Sequence, residues 1–202
     1  MGQITIVHCG VKNKNGIMSR VLRRALSAYG GVQWFDGAAV SCPDQTPRFL
    51  LYECTGIPQI TSGAGILVFD NGFVYSQEAS RAFSDGFVPI LEGENKEAAK
   101  ALKGTGKIAV TCSPSARGTL SIASLDYERA AVSLQRDLRI LDGSVVEPME
   151  IIVGLSQKTP AYPLMAACGI LLLSGVEGSY LFLAIYFPNA LPNFFCTKNE
   201  KV

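Results

Sequence analysis

The first thirty residues pass from an apolar run to a helical pattern. The run ITIVHCG (residues 4–10) is typical of a short buried strand that ends at a glycine. In GIMSRVLRRALSAYGG (residues 16–31), apolar residues recur every three or four positions, arginines occupy the opposite face, and two glycines end the pattern. A strand, a glycine loop and an amphipathic helix together predict the first half of a βαβ unit.

The next eighty residues repeat this alternation. Strands are predicted at residues 32–40 (with a turn at Asp36-Gly37), 48–56, 63–72, 87–93 and 107–112. A polar helix is predicted at residues 94–106, and weak periodicity indicates a short helix within residues 74–86. Strands separated by helices favour a three-layer α/β fold, with a mostly parallel sheet and helices on both of its faces.

The pattern changes after Ser113. Residues 118–126, 130–141 and 145–155 alternate apolar and polar positions between turn signals, which predicts an antiparallel β extension in the C-terminal half. Residues 160–176 then form an apolar helical segment. With no repeat and no linker, residues 1–202 are expected to form a single domain that ends in an apolar tail, residues 178–202.

Composition and charge narrow the possible partners. A net charge of +1 gives no general attraction to nucleic acid or to an anionic membrane surface. The six cysteines form no C-x-x-C pair and lie mostly in apolar runs, so we expect free thiols and a cytoplasmic protein. The apolar stretch 164–173 is shorter than the ~20 residues that span a bilayer, so no membrane insertion is expected. The tail is instead expected to contact a protein partner or a second copy of the chain.

The loop GVKNKNGIMS is the first candidate site. Backbone amides and the helix dipole at such a junction can hold an anion, and lysines add positive charge. The candidate ligand-binding residues are Gly10, Lys12, Lys14, Asn15, Gly16 and Ser19. The alternative is an ordinary solvated turn in which Asn15 caps the helix.

Three other residues carry possible chemistry. Glu53, at a strand end, could bind a metal cation or form a hydrogen bond with a neighbouring loop. His8 could be a general base, although a histidine in an apolar strand is more often a packed core residue. Cys9 points to the opposite face of the strand from His8, which makes the pair a poor dyad. No catalytic residue is predicted.

The order of these segments resembles the central, ATP-binding domain of the Mur ligases, which join amino acids to peptidoglycan precursors. That family's glycine loop ends in Asn-Gly-Lys-Thr-Thr, and the matching string here is NGIMS, residues 15–19. Its strand-end glutamate matches Glu53 in LLYECTG. Its glycine turn with a short antiparallel sheet matches residues 107–125, and its closing small-residue helix matches residues 162–176. The resemblance covers residues 3–176. The stretch SLQR…LDG…VEP also looks similar to bacterial proteins of uncharacterised activity.

The resemblance implies a Mg-ATP site, but the residues depart from it. Ile17 replaces the lysine that would contact the terminal phosphates, and Met18 replaces the hydroxyl residue that would hold Mg²⁺. The family's Asp-His pair is reduced to Asp70 with no adjacent histidine. We therefore predict a non-catalytic Mur-ligase-like protein that needs no cofactor and binds a partner or a small anionic ligand at a degenerate P-loop. The alternatives are an ATP-dependent ligase or phosphotransferase with an atypical P-loop, and a structural homo-oligomeric subunit.

Overall fold

The fold is that of a computed structural model, which describes residues 2–12, 16–42, 46–60, 63–76, 84–176 and, as backbone alone, 180–183. The three helices in these ranges are α1 (Ile17–Ser27), α2 (Lys96–Leu102) and α3 (Ala161–Leu173). The strands are β1 (Ile4–Cys9), β2 (Val32–Phe35), β3 (Val40–Ser41), β4 (Phe49–Cys54), β5 (Ala64–Phe69), β6 (Gly86–Glu92), β7 (Val110–Ser113), β8 (Leu120–Leu125), β9 (Arg129–Leu134), β10 (Leu138–Arg139), β11 (Val145–Val146), β12 (Met149–Leu155) and β13 (Tyr180–Leu183).

One large mixed sheet contains eleven of these strands. Their order is β13-β12-β9-β8-β7-β6-β5-β1-β4-β2-β3, and β10 pairs with β11 in a separate small ribbon. Neighbouring strands pair in parallel from β2 through β4, β1, β5, β6 and β7 to β8. Strands β8, β9 and β12 pair antiparallel. The predicted mostly parallel sheet with a C-terminal antiparallel extension is confirmed.

Helices cover both faces of the sheet, as predicted. On one face, α1 and α3 pack on each other and on the larger apolar core. On the other face, α2 packs its alanines against a smaller core that includes Val7, Leu67 and Phe87. Helix α1 is amphipathic, with most of its apolar side chains buried, Arg20 exposed and Arg23 and Arg24 partly exposed, whereas eleven of the thirteen residues of α3 are buried. An apolar helix without a polar face needs a position inside the fold, and α3 occupies one.

Several predicted boundaries shift by a few residues. The predicted strand at residues 32–40 is a hairpin of β2 and β3, whose turn is held by Asp36 Oδ1 accepting from the Ala38 and Ala39 amides at 3.0 and 2.9 Å. The predicted helix at residues 94–106 is limited to α2. Residues 74–76 are not helical, and the centre of the helix predicted within residues 74–86 lies outside the described residues.

The start of the predicted tail docks on the sheet. Backbone atoms of β13 pair in parallel with Ile152–Leu155 of β12, so β13 forms one edge of the sheet. Residues 177–179 and 184–202 lie outside the described residues. Within the described ranges, no helix is both long enough and apolar enough to cross a lipid bilayer.

Candidate functional site

The strand order reverses at β1, which has β4 on one side and β5 on the other. In open α/β sheets, such a switch point opens a crevice at the carboxyl ends of the strands, where ligands bind. A cleft of about 510 Å³ lies there; we call it the carboxyl-edge cleft. It is lined by Gly10, Val11, Lys12, Gly16, Ile17, Met18, Ser19, Asp70, Asn71, Gly72, Glu92, Pro160, Ala161, Tyr162 and Pro163.

The structure brings four of the loop candidates into this cleft: Gly10, Lys12, Gly16 and Ser19. Lys14 and Asn15 lie outside the described residues. The N-cap residue of α1 is Gly16, which has no side chain to accept a hydrogen bond from the helix amides. The alternative of an ordinary solvated turn in which Asn15 caps the helix concerns a residue outside the described ones and stays a prediction.

Gly10 sets the path of the chain as it leaves β1. Its φ is +94°, and a Cβ at this position would lie 2.7 Å from the backbone of Phe73. The amides of Gly10 and Val11 donate to the Cys54 carbonyl oxygen at 2.9 and 3.0 Å. These two loop amides therefore hold the loop on the end of β4 and do not point a free N–H at a ligand.

The first turn of α1 supplies the free amides instead. The first intrahelical bond runs from the Arg20 amide to the Gly16 carbonyl oxygen at 3.1 Å, which leaves the amides of Ile17, Met18 and Ser19 without an intrahelical acceptor. The side chain of Ser19 is 1% exposed, and its Oγ has no hydrogen-bond partner among the described residues. A buried hydroxyl without a partner is costly, and this one lines the cleft.

A second helix N-terminus, that of α3, lies at the same cleft, and none of the candidate residues named from the sequence belongs to it. Helix α3 has Pro160 at its N-cap, no side chain caps it, and its first intrahelical bond is the Leu164 amide to the Pro160 carbonyl oxygen at 3.3 Å. Two N–H groups, those of Ala161 and Tyr162, remain for a ligand. The Tyr162 hydroxyl donates to the Phe69 carbonyl oxygen and so fixes α3 against the end of β5. The sequence feature that could have indicated this N-terminus was Pro160, because proline is common where a helix begins.

Two carboxylates line the side of the cleft formed by β5 and β6. Asp70 Oδ1 accepts from the Gly72 amide at 2.8 Å, and Asp70 Oδ2 lies 3.3 Å from Nε2 of His8. Burial raises the pKa of Asp70, but the hydrogen bonds from His8 and the Gly72 amide, with the nearby charge of Lys12, outweigh burial and lower it. This carboxyl is therefore ionised at neutral pH.

The second carboxylate belongs to Glu92, whose Oε2 accepts from Asn71 Nδ2 at 2.6 Å. The cleft thus combines two helix N-termini with two carboxylates, and Lys12 lies close to the carboxylate of Asp70. No histidine is adjacent to Asp70 in the sequence, but His8 contacts Asp70 in the structure. His8 is fully buried on β1, the strand next to β5. It does not itself line the cleft.

Glu53 lies beneath α1 and is not among the lining residues. It is 3% exposed, and its Oε2 accepts from Nη2 of Arg23. The guanidinium of Arg23 also stacks on Trp34, 3.9 Å from the ring centroid. The other Glu53 oxygen, Oε1, has no hydrogen-bond partner among the described residues. Within the described ranges, no three His, Cys, Asp or Glu side chains form a metal-binding group. Metal binding by Glu53 stays an untested prediction.

The cysteine beside His8 is placed as the strand alternation predicts. Cys9 belongs to the core on the α2 face, whereas His8 contacts Asp70 on the opposite face. Burial, followed by the proximity of Cys54, raises the pKa of the Cys9 thiol. A thiol that resists ionisation is a poor nucleophile.

No protein-family model matches this sequence, and no curated protein matches it. Solved structures do share its fold. MurF from Acinetobacter baumannii is 10% identical with a TM-score of 0.53, over 87% of this chain and 43% of that one. MurF ligase from Thermotoga maritima in complex with ADP is 9% identical with a TM-score of 0.52, over 88% of this chain and 47% of that one.

A mutant of L. casei FPGS is 11% identical with a TM-score of 0.50, over 97% of this chain and 67% of that one. This chain therefore spans less than half the length of the MurF structures that it matches. At these identities the likeness concerns the fold alone. The chain has a Mur-ligase-like α/β fold.

Proposed function

We propose that this protein binds a small anionic ligand in the carboxyl-edge cleft and does not catalyse phosphoryl transfer. The observation that carries the proposal is the buried hydroxyl of Ser19, which has no hydrogen-bond partner in the part of the chain that the structure describes. It lines a cleft that also receives two helix N-termini whose N-cap residues, Gly16 and Pro160, have no hydrogen-bonding side chain. Free amides, helix dipoles and a hydroxyl donor are the groups that bind anions without a dedicated arginine.

The expected affinity follows from these groups. An exposed helix N-terminus favours an anion by about 0.3–1 kcal/mol, and a partly buried one by up to ~2 kcal/mol. Two such termini and one hydroxyl reach roughly the 4 kcal/mol of a millimolar complex. Inorganic phosphate is therefore expected to bind at near-millimolar concentration, and a ligand with further contacts more tightly.

The loop argues against phosphoryl transfer. A transferred phosphoryl group needs a cation at its terminal oxygens and bound Mg²⁺ to neutralise the developing charge. Ile17 and Met18 line the cleft at the positions where a lysine and a hydroxyl residue would supply these contacts. The amides of Gly10 and Val11 already donate to the Cys54 carbonyl oxygen. These features support binding without turnover.

Calorimetric titration with phosphate and with pyrophosphate tests the proposal. Ser19→Ala should weaken phosphate binding by about tenfold or more, because one hydrogen bond to a charged group, of about 1.5–3 kcal/mol, is lost. Ser27→Ala is the matched control, since Ser27 lies on the same helix but its hydroxyl donates to the Arg23 carbonyl oxygen at the far end. The proposal would be refuted if no phosphate binding were measurable at about 10 mM phosphate, or if the two variants had equal effects.

A second candidate is an ATP-dependent ligase or phosphotransferase with an atypical P-loop. The observation in its favour is that the carboxylates of Asp70 and Glu92 line the same cleft as Lys12. Carboxylate oxygens are ligands that suit Mg²⁺, and a lysine can contact a phosphate. Mg-ATP binding with a dissociation constant below about 10 μM, near −7 kcal/mol, or Mg²⁺-dependent ATP hydrolysis would favour this candidate over the anion-binding proposal.

The third candidate, a structural homo-oligomeric subunit, rests on the apolar string YLFLAIYF at residues 180–187. An apolar segment of this kind marks a partner surface when nothing in its own chain covers it. Sedimentation of the full chain and of a chain ending at Leu183 tests this candidate. A concentration-dependent dimer that is lost on truncation supports it, and a monomer in both cases eliminates it.

A further inference from the structure

A second cavity lies at the opposite edge of the sheet, where the parallel strands begin. The first residues of β5, β6 and β7, which are Ala64, Gly86 and Val110, line a space of about 500 Å³. Strand β10 and the turn that follows it line its other side, with Leu138, Arg139, Ile140, Leu141 and Gly143. We propose that this amino-edge pocket binds a small amphipathic anion: an apolar chain or ring that carries a carboxylate.

The interior of the pocket is apolar. Side chains of Val88, Leu138 and Ile140 line it and belong to, or pack against, the larger core. Its buried polar residue, Thr119, is already satisfied: its Oγ1 lies 3.4 Å from Thr111 Oγ1, and it accepts from the Thr111 amide at 3.3 Å. A pocket with an apolar interior and no unmet polar group selects an apolar ligand body.

Ile108 lies at the mouth of the pocket and is 90% exposed. It is the most exposed of the large apolar side chains in the described residues. A single exposed isoleucine is ordinary on a protein surface, but this one borders a cavity with apolar walls. An occupant of the pocket would cover part of this side chain, and this supports an apolar ligand that extends to the mouth.

The charges at the mouth favour an anionic group. Arg136 and Arg139 both line the pocket, and Asp137 is the only carboxylate among the described lining residues. Nη2 of Arg136 donates to the carbonyl oxygens of Arg117 and Gly118 at 3.0 and 3.2 Å, which holds its guanidinium in place without neutralising it. Arg139 makes no salt bridge with any described residue. A guanidinium without an acidic partner is suited to bind a carboxylate.

Titration with decanoate and with decanol separates the contribution of the head group from that of the chain. Decanoate should bind with a stoichiometry of one and about fivefold more tightly than decanol, the ratio expected for one exposed charge pair. Arg139→Ala should reduce decanoate affinity to that of decanol and leave decanol unchanged. The matched control is Arg129→Ala, an exposed arginine that does not line the pocket. Equal affinities for the two ligands, or equal effects of the two variants, would overturn the proposal.

Ile108→Asp tests the location of the apolar body. Because Ile108 is already in solvent, the substitution should not impair folding, and circular dichroism provides that check. It should weaken both decanoate and decanol, because it removes apolar contact at the mouth. Unchanged binding of both ligands would overturn the proposal. Phosphate affinity at the carboxyl-edge cleft should be unaffected by Ile108→Asp, so failure at one site is distinguishable from failure at the other.

Discussion

Ser19 shows how one side chain indicates a site. A serine in a buried helical position usually donates its hydroxyl hydrogen to a carbonyl oxygen one turn back, as Ser174 does to Ile170 at 2.6 Å. Ser19 is the third residue of α1, and its hydroxyl lacks a partner among the described residues. A group that costs free energy in the folded protein and lines a cleft indicates a role other than stability.

Ser19→Ala should therefore stabilise the protein in the absence of ligand. Removing an unsatisfied buried hydroxyl and introducing the best helix former should raise the free energy of unfolding by about 1 kcal/mol. Urea denaturation with and without phosphate measures both effects. Phosphate should raise the free energy of unfolding of the variant by less than it raises that of the original protein. A variant that is clearly less stable without ligand would show that the hydroxyl has a structural partner.

The Arg23–Glu53 pair illustrates a buried charge whose partner is essential. Glu53 is 3% exposed, and the Arg23 guanidinium binds it while stacking on Trp34. Removing the arginine leaves an unpaired carboxylate in a medium of low polarity, which costs free energy. Replacing both partners by apolar groups avoids this cost, because no buried charge remains.

Arg23→Met should accordingly destabilise the protein by about 3–5 kcal/mol. The double variant Arg23→Met/Glu53→Leu should recover most of that loss, since no charge is left uncompensated. Denaturant unfolding of the single and double variants measures the coupling. Additive losses would show that the two side chains do not depend on each other. Stabilisation of the Arg23→Met variant by millimolar Mg²⁺ would support the prediction that Glu53 binds a cation.

At the junction of β1 and α1, a glycine determines where the helix N-terminus points. Gly10 has a left-handed conformation and passes so close to Phe73 that a Cβ would collide with that residue's backbone. Along this path the amides of Gly10 and Val11 reach the Cys54 carbonyl oxygen at the end of β4.

Gly10→Ala should lower the free energy of unfolding more than Gly37→Ala does. Both glycines have positive φ, +94° and +87°, so both substitutions incur the backbone cost of about 1–2 kcal/mol. Only at position 10 does the new methyl group also meet backbone atoms, at 2.7 Å, whereas nothing lies within 4 Å at position 37. The collision should add at least ~1 kcal/mol. Thermal unfolding of the two variants compares them, and equal losses would mean that Phe73 moves aside without cost.

At the scale of the whole molecule, the buried thiols make the free energy of unfolding depend on pH in the alkaline range. Burial is the main cause of the raised pKa values of Cys9, Cys112 and Cys168, and the pKa of Cys168 rises to about 12. A raised pKa in the folded state means that the folded protein holds the proton more tightly than the unfolded chain does. The resulting stability is complete below pH 9, the ordinary pKa, and is lost as pH rises through the folded-state value.

The free energy of unfolding should therefore fall steeply above pH 9. Each such thiol contributes a slope of about 1.4 kcal/mol per pH unit, and three contribute about 4. Cys168→Ala should reduce the slope by about 1.4 kcal/mol per unit, whereas Cys42→Ser, at an exposed thiol, should leave it unchanged. Urea denaturation at about pH 8, 9 and 10 measures how the free energy of unfolding changes with pH. A slope unaffected by Cys168→Ala would contradict the prediction.

The local pattern of residues was sufficient for most of the fold. Apolar runs between helical periods predicted β1, β4, β5, β6 and α1, and their alternation predicted the parallel sheet. Gly10, Gly16 and Ser19, which line the cleft, could be named as candidates because a glycine loop before an amphipathic helix is a signal within ten consecutive residues. These features depend on neighbours along the chain, which is why the sequence alone contains them.

The tertiary structure decided which distant residues meet. His8 and Asp70 are 62 positions apart and come into contact because β1 and β5 are neighbours in the sheet. Tyr162 and Phe69 are 93 positions apart, and their hydrogen bond brings the N-terminus of α3 to the cleft. The amino-edge pocket likewise joins the starts of three strands to β10 and the turn that follows it. Side-chain contacts of this kind depend on strand order and on the packing of an apolar helix, and no periodicity in the sequence encodes either.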